Sequence, residues 1–147
     1  MSEKPAAGEP SPSALAGTPY CQHLGMRYEP RADAAEGEAP VDVVLRLGPH
    51  LTNKRGVVNG GALASMLDAA LGCAVLAAMK PEEWCATVSL DVQFIRPGRG
   101  TELRGRGRLV KRGARQAFAQ GEIRDESGEI VAAAQGVWHV WPKHPDR

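Results

Sequence analysis

The stretch that decides the fold is "GVVNGGALASMLDAALGCAVLAAMK", residues 56–80. From Ala62 to Met79 it is almost wholly apolar and carries one carboxylate, Asp68, with Ser65 as its polar companion. Asn59, followed by a glycine pair, is suited to capping the start of a helix. The pattern therefore predicts a long core helix. Because an ionised carboxylate is costly to bury without a partner, Asp68 needs an explanation.

The length of this apolar stretch approaches that of a membrane span. The central Asp68, Gly72 and the many alanines argue against a span, and so do the amphipathic segments that follow. With 147 residues, 43% of them hydrophobic, the chain is long enough for one globular domain with a real core. The sequence therefore predicts a buried helix in a globular domain and no membrane partner.

The charges and cysteines exclude several classes of protein. Eighteen Lys and Arg against 17 Asp and Glu give a net charge of +1, which indicates no nucleic-acid partner. Cys21, Cys73 and Cys85 are odd in number and lack a CxxC spacing, so they favour neither a disulfide framework nor a zinc site. We therefore expect a cytoplasmic protein without a metal or another cofactor.

The two ends of the chain differ from its middle in composition. Residues 1–18 are rich in proline and alanine and contain no apolar signal region, which predicts a disordered tail. Residues 143–147 are predicted to form a short C-terminal tail. We expect residues 19–142 to form a single domain.

The segments around the helix predict strands. "MRYEPR" and "VDVVLRLG" precede it, after a short helical turn at "PYCQHLG", and the loop "PHLTNKRGVVNGG" leads into it. Four more strands follow, at "ATVSLDVQFIRPGRG", "TELRGRGRLVK", "RQAFAQGEIR" and "IVAAAQGVWHVW". The short loops between the last three require an antiparallel meander. We therefore expect an α+β fold in which a curled antiparallel sheet wraps around one long central helix.

The first strand after the helix shows strict alternation. Val88, Leu90, Val92 and Phe94 alternate with Thr87, Ser89, Asp91 and Gln93. A period of two predicts one buried face, formed by the apolar set, and places Thr87 on the polar face.

Asn-Gly-Gly and Asp68 together suggest acyl hydrolysis. A helix start leaves backbone N–H groups without partners, and glycine lets a ligand carbonyl come close to them. Gly60 N–H could polarise an ester or thioester carbonyl, and Asp68 could activate water or attack directly. The alternative is structural: the glycines form a turn and Asp68 binds a backbone group or Ser65.

Helix geometry places a constraint on this chemistry. Gly60 and Asp68 are eight residues apart, which is roughly 12 Å along one helix. Reacting atoms must approach to about 3–3.5 Å. If the two residues cooperate, Gly60 of one subunit must face Asp68 of another, so we expect a symmetric dimer, with a dimer of dimers as an alternative.

From Tyr20 to Trp141 the chain resembles the hotdog-fold thioesterases of the phenylacetate-pathway (PaaI-like) family. The resemblance is carried by "LGMRYE", "GGALASMLDAALG", "TVSLDVQFIRP" and "DESGEIVAAAQG". The family pattern is an Asn, His-Gly-Gly six residues later, an Asp nine after the His, and a Ser or Thr at the start of the next strand. These positions are Asn53, Asn59-Gly60-Gly61, Asp68 and Thr87 in this sequence.

The resemblance implies the roles of the site residues. Asp68 would be the general base or nucleophile, Thr87 would hold the attacking water, and Gly60 would supply the oxyanion N–H. Asn53 would steady the loop or the thioester from the partner subunit. Asn59 stands where the family usually has His, and an amide does not titrate near neutral pH. The implied function is hydrolysis of an aromatic or medium-chain acyl-CoA; the alternative is an acyl-CoA-binding module without turnover.

The remaining predicted substrate contacts lie near this motif. Gly61 and Ser65 are on the helix, and Arg96, Arg99 and Arg112 are suited to coenzyme A phosphates. Arg104, Arg106 and Arg108 alternate along one strand and share a face. They could clamp phosphates, bind RNA or a protein partner, or form an ordinary solvated face. No aromatic residues for base stacking are interleaved with them.

Overall fold

The computed structural model of the protein describes residues 18–144. The predicted N-terminal tail lies outside these residues except for Thr18, and so do residues 145–147 of the predicted C-terminal tail. The described chain contains helices α1 (Pro19–Leu24) and α2 (Gly60–Ala77) and a 3-10 turn at Pro49–Leu51. The strands are β1 (Met26–Pro30), β2 (Val41–Arg46), β3 (Trp84–Phe94), β4 (Glu102–Arg112), β5 (Gln116–Arg124) and β6 (Ile130–Trp141).

The strands form one antiparallel sheet of six, in the order β1-β2-β4-β5-β6-β3. The predicted meander of β4, β5 and β6 is confirmed. β3 follows α2 in the chain but pairs with β6 at the far side of the sheet. As a result β1 and β3 are the two edges, and the long helix lies across the sheet between them.

Helix α2 is the centre of the core. It packs mainly against β4, β5 and β6, and its largest fully buried side chains are Met66, Leu67, Leu71 and Val75. The sheet contributes Leu45, Leu103, Ile123, Val131 and Val140 to the same cluster. By length and composition alone α2 could cross a membrane, but 56% of it is buried inside the fold. The predicted core helix, wrapped by a curled sheet, is confirmed.

Glycines on the inner face of the sheet let α2 approach the backbone of β4. A Cβ on Gly107 would lie 2.2 Å from the carbonyl oxygen of Ala70, and one on Gly121 would lie 2.7 Å from Leu71 Cδ1. Because the glycines alternate with arginines along β4, Arg104 and Arg106 lie on the outer face of the sheet, as the pattern predicts.

On that outer face the arginines bind a carboxylate. Asp42 on β2 is only 3% exposed. Arg106 Nε and Nη2 donate to its two oxygens at 2.9 and 3.1 Å, and Arg104 Nη1 donates at 3.0 Å. Arg31, which follows β1, lies 3.4 Å from the same carboxylate. The alternating arginines therefore join strands within the sheet, a role that the sequence did not predict.

The predicted buried face of β3 is confirmed only in part: Leu90 and Val92 are partly buried against the core, but Val88 and Phe94 are exposed. Val88 is 63% and Phe94 57% exposed, because β3 is an edge strand with no strand beyond it in residues 18–144. The register with β6 shifts between Thr87 and Ser89, so Val88 is an extra, bulged residue.

The bulge also corrects the prediction for Thr87. Thr87 pairs with Trp138, which is buried under α2, whereas Ser89 pairs with Val137 on the opposite face. Residues directly opposite each other in a sheet share a face. Thr87 therefore lies on the helix side of β3 and not on the polar outer face with Ser89.

The inner-face glycines make a prediction about stability. We expect Gly107→Ala to lower the free energy of unfolding by about 3 kcal/mol, because its new methyl group would meet backbone atoms of α2 that cannot move independently. Gly105→Ala is the matched control, since the nearest atom to its methyl would be the flexible end of Met66 at 3.2 Å. Its cost should stay below about 1 kcal/mol. Urea unfolding at one protein concentration measures both, and equal losses would contradict the prediction.

Candidate active site

The start of α2 has a free backbone donor followed by a capped one. Asn59 Oδ1 accepts a hydrogen bond from Gly61 N at 2.8 Å, which confirms the predicted N-cap. Asn59 N in turn donates to the carbonyl of Leu51 at 2.7 Å and fixes the entering loop. Gly60 N–H has no acceptor among residues 18–144. Gly60 N–H is thus an unused donor at the positive end of a long helix.

The aromatic ring of Phe94 covers this helix start. A Cβ on Gly60 would lie 3.3 Å from Phe94 Cε1 and Cζ, so the end of β3 packs directly on the first residue of α2. Sequence analysis assigned Phe94 to a buried strand face and missed this contact. Its only sequence signal was the apolar residue at the end of the strand.

Asp68 is held by Thr87. Thr87 Oγ1 donates to Asp68 Oδ1 at 2.8 Å, and the bulge at Val88 is what turns Thr87 toward the helix. The side chain of Asp68 is half-buried, and its Oδ2 accepts no hydrogen bond from the described residues. Partial exposure and a hydroxyl donor therefore reduce the cost of this charge in an apolar helix. One carboxylate oxygen is fixed and the other is available.

Ser65 joins α1 to α2. Its Oγ donates to the carbonyl of Gly61 at 2.9 Å, and Tyr20 Oη lies 2.7 Å from the same oxygen. Gly61, Ser65 and Asp68 share one face of the helix because they are spaced by four and three residues. The ring of Tyr20 is 59% exposed beside that face. No sequence pattern singled out Tyr20, because its contact with Ser65 spans 45 residues.

Asn53 stabilises its own loop. Its Oδ1 accepts from Arg55 N at 2.8 Å, and its backbone N donates to Val57 O at 2.8 Å. A bridge between Thr52 and Val58 closes the same loop. In one protomer the structure does not bring Asn53 into contact with Asp68 or Thr87, so its role toward the thioester stays a prediction.

The three predicted phosphate-binding arginines lie in different surroundings. Arg96 pairs with Glu129 at 2.8 Å. Arg112, whose side chain is 19% exposed, pairs with Glu83 at 2.7 Å and donates to the carbonyl of Gly113.

Arg99 is exposed and forms no ion pair with a described residue. It lines an open cleft of about 470 Å³ together with Leu47, Pro49, Thr52 and Val58. Of the three arginines, Arg99 is thus the one whose guanidinium is available to a ligand.

The thiols near the site are protonated at neutral pH. Burial raises the pKa of the Cys85 thiol to about 11, and the nearby Asp68 carboxylate adds to the rise. Burial also raises the pKa of Cys73 to about 12. A protonated thiol is a poor nucleophile. Within residues 18–144 no three His, Cys, Asp or Glu side chains cluster as metal ligands. Asp68 is thus the group best placed for acid–base chemistry.

The cap at Asn59 makes a testable contribution to stability. Asn59→Ala should lower the free energy of unfolding by about 1 kcal/mol, since Gly61 N–H would lose its acceptor. Asn59→Asp keeps an acceptor oxygen at the same place and should stay within a few tenths of a kcal/mol of the native protein. Thermal unfolding of both variants measures the difference. A loss as large for Asp as for Ala would show that the cap does not stabilise the helix.

Known proteins share this architecture. Residues 55–132 match the family model described as the thioesterase superfamily. A protein of Pseudomonas aeruginosa, provisionally named an esterase, is 36% identical over 100 residues, which cover 67% of this chain and 73% of the relative.

Two solved structures extend the likeness to most of the chain. One is a Bacillus halodurans protein crystallised with CoA: 27% identity, TM-score 0.78, covering 85% of this chain and 80% of the other. The second is a phenylacetic acid degradation-related protein from Ralstonia eutropha. It is 30% identical, with a TM-score of 0.74, and the match covers 87% of this chain and 95% of the other. The family match over more than half of the sequence and the sheet curled around α2 lead to one conclusion. This chain belongs to the thioesterase superfamily, has the hotdog fold and is a thioester hydrolase.

Proposed function

We propose that the protein hydrolyses the thioester of an aromatic or medium-chain acyl-CoA by Asp68-assisted attack of water, at a site shared between two subunits. The observation that carries the proposal is the half-buried Asp68, with one oxygen fixed by Thr87 at 2.8 Å and the other free of protein partners in residues 18–144. The Bacillus halodurans structure with CoA and the phenylacetic acid degradation-related protein support this class of substrate.

The chemistry follows from the two free groups. Asp68 Oδ2 removes a proton from a water molecule while the oxygen of that water bonds to the carbonyl carbon of the thioester. Negative charge develops on the carbonyl oxygen, where Gly60 N–H donates a hydrogen bond. When the carbon–sulfur bond breaks, the proton passes to the departing thiolate, and a carboxylic acid and free CoA thiol result. Thr87 keeps Asp68 oriented through the reaction.

The exposed edge of β3 supports a shared site. The other edge, β1, is five residues long and ends in Pro30, features that discourage pairing with another chain. β3 has 11 residues and exposes Val88 and Phe94. Such an open edge, with two exposed apolar side chains, is suited to pairing with a second copy of itself. A homodimer, or a dimer of dimers, would cover it.

Pairing of two β3 strands would also bring the two halves of the site together. In each protomer Phe94 lies against Gly60 at one end of β3, and Thr87 binds Asp68 toward the other end. Antiparallel pairing about a two-fold axis near Leu90 places the Phe94 end of one strand beside the Thr87 end of its partner. Paired strands lie only about 4.8 Å apart. Gly60 of the partner subunit would then approach Asp68, which one helix alone cannot achieve.

We also propose a cytoplasmic location and a binding residue for the CoA phosphates. Cys21, Cys73 and Cys85 are free thiols, which is in keeping with the cytoplasm. Arg99 is the arginine that we propose for the CoA phosphates, because Arg96 and Arg112 already pair with glutamates. RNA binding by the β4 arginines is disfavoured, since Arg104 and Arg106 are bound to Asp42.

The role of Asp68 is tested by Asp68→Asn. We expect at least a hundredfold loss of kcat/KM on acyl-CoA, because an amide cannot accept the proton of water. Asp33→Asn is the matched control, as Asp33 is 75% exposed in the loop between β1 and β2, at the side of the sheet opposite β3. Release of free thiol from a panel of acyl-CoAs measures both. Tight binding of acyl-CoA without thiol release by the native protein would favour the binding-module alternative that Asn59 raises.

The shared site is tested by mixing two inactive variants. Gly60→Pro removes the free N–H at the first helical position, where proline is tolerated, and the φ of −67° and ψ of 139° at Asn59 suit a residue before proline. Gly60→Ala is its control, because it retains the N–H.

The expected result follows from two-fold symmetry. Each mixed dimer of Gly60→Pro and Asp68→Asn chains keeps one intact site, so a random equal mixture should recover about a quarter of the native activity. Co-expressed and separately purified proteins are compared by thiol release. No recovery in dimers shown to be mixed would mean that each site lies within one chain.

A further inference from the structure

Gly72 is an unusual residue for its position. It lies in the interior of α2, four residues after Asp68 and therefore on the same face of the helix. Glycine destabilises a helix interior relative to alanine, since it adds chain entropy to the unfolded state. Glycine inside a helix is usually retained because another element packs too closely for a side chain.

Within the described part of the chain, no such close packing exists at Gly72. On the sheet, a Cβ at Gly107 or Gly121 would lie 2.2 Å from a backbone oxygen, and one at Gly136 would lie 2.8 Å from the ring of Trp138. Among residues 18–144, a Cβ at Gly72 would meet no heavy atom within 4 Å beyond its own helix backbone and chain neighbours. Gly72 is nevertheless buried. Space beside the helix is thus left unfilled, one turn from the reactive carboxylate.

The two directions along the helix from Asp68 differ in character. Toward the N-terminus lie Ser65 and the exposed Tyr20, whose hydroxyl groups form an open, polar surface. Toward the C-terminus lie the buried Gly72 and the half-buried Leu76. Cys85 on β3 shares the helix-facing side with Thr87, since its partner Val140 is buried. Its thiol is close enough to Asp68 for the carboxylate to raise the thiol pKa.

These surroundings suit the two arms of a thioester differently. The pantetheine arm carries amides and must reach solvent, so it fits the polar side with Ser65 and Tyr20. The acyl group is apolar and its far end does not need to reach solvent, so it fits the enclosed side. We propose that the acyl group lies in the unfilled space beside Gly72, and that the absence of a side chain at Gly72 sets the size of acyl group that the enzyme accepts. This inference rests on the proposed acyl-CoA hydrolysis at Asp68.

The test is the acyl preference of Gly72→Ala and Gly72→Val. We expect kcat/KM for the largest acyl group that the native enzyme accepts, relative to that for acetyl-CoA, to fall at least tenfold in Gly72→Val and less in Gly72→Ala. Added methyl groups in an apolar pocket exclude ligand groups of the same volume. Free thiol is measured across acetyl-, hexanoyl-, benzoyl- and phenylacetyl-CoA. Ala77→Val adds bulk at the exposed end of the same helix and should leave the ratio unchanged.

Stability separates this role from a structural one. Because the site is empty and alanine favours helix, Gly72→Ala should raise the midpoint of thermal unfolding and leave the dimer intact by sedimentation. A lower midpoint, or dissociation, would show that another part of the assembly fills the space, and would overturn the inference. An unchanged ratio of kcat/KM between the large acyl group and acetyl-CoA would also overturn the inference, whether kcat/KM falls equally for every acyl group or not at all. Turnover of no acyl-CoA by the native protein would reject the proposed function and the inference with it.

Discussion

The close packing of α2 on β4 is the constraint on which the rest of the structure depends. The helix backbone at Ala70 lies so close to Gly107 that a Cβ at position 107 would clash with it. Since the helix cannot rotate or slide at such a contact without collision, the positions of its other residues follow. Asp68 is two residues away and is thereby held at the side of the helix that faces the start of β3. The glycines of the sheet thus orient an acidic group that they never touch.

β3 completes the proposed reaction centre on this fixed helix. Its bulge at Val88 turns Thr87 inward to Asp68, while its last residue, Phe94, packs on Gly60. Local irregularity in a strand commonly re-aims a side chain in this way. The same bulge leaves Val88 exposed on the open edge. One irregularity therefore accounts for the orientation of the carboxylate and for part of the surface that a second subunit would cover.

The sequence predicts the regular parts of this fold well and the irregular parts poorly. The helix start at Asn59, the antiparallel meander and the common face of the β4 arginines follow from local patterns, and the structure confirms them. Periodicity alone gives no sign that Val88 is an extra residue, so alternation assigns Thr87 to the wrong face. The contacts of Asp42 with Arg104 and of Tyr20 with Ser65 join residues far apart in the chain, and no local pattern reports them.

Asn59 stands where the PaaI-like family usually has His, and the hydrogen bond of its side chain shows what the amide does there. Its Oδ1 caps Gly61 N–H, and this leaves Gly60 N–H as the free donor of the helix start. A neutral amide performs this task at every pH at which the fold is stable, because it does not titrate. If catalysis needs only a fixed amide donor and one carboxylate, the substitution preserves both. In the mechanism that we propose, proton transfer then falls to Asp68 alone, and the hydrogen bond from Thr87 is the main determinant of the orientation of its carboxylate.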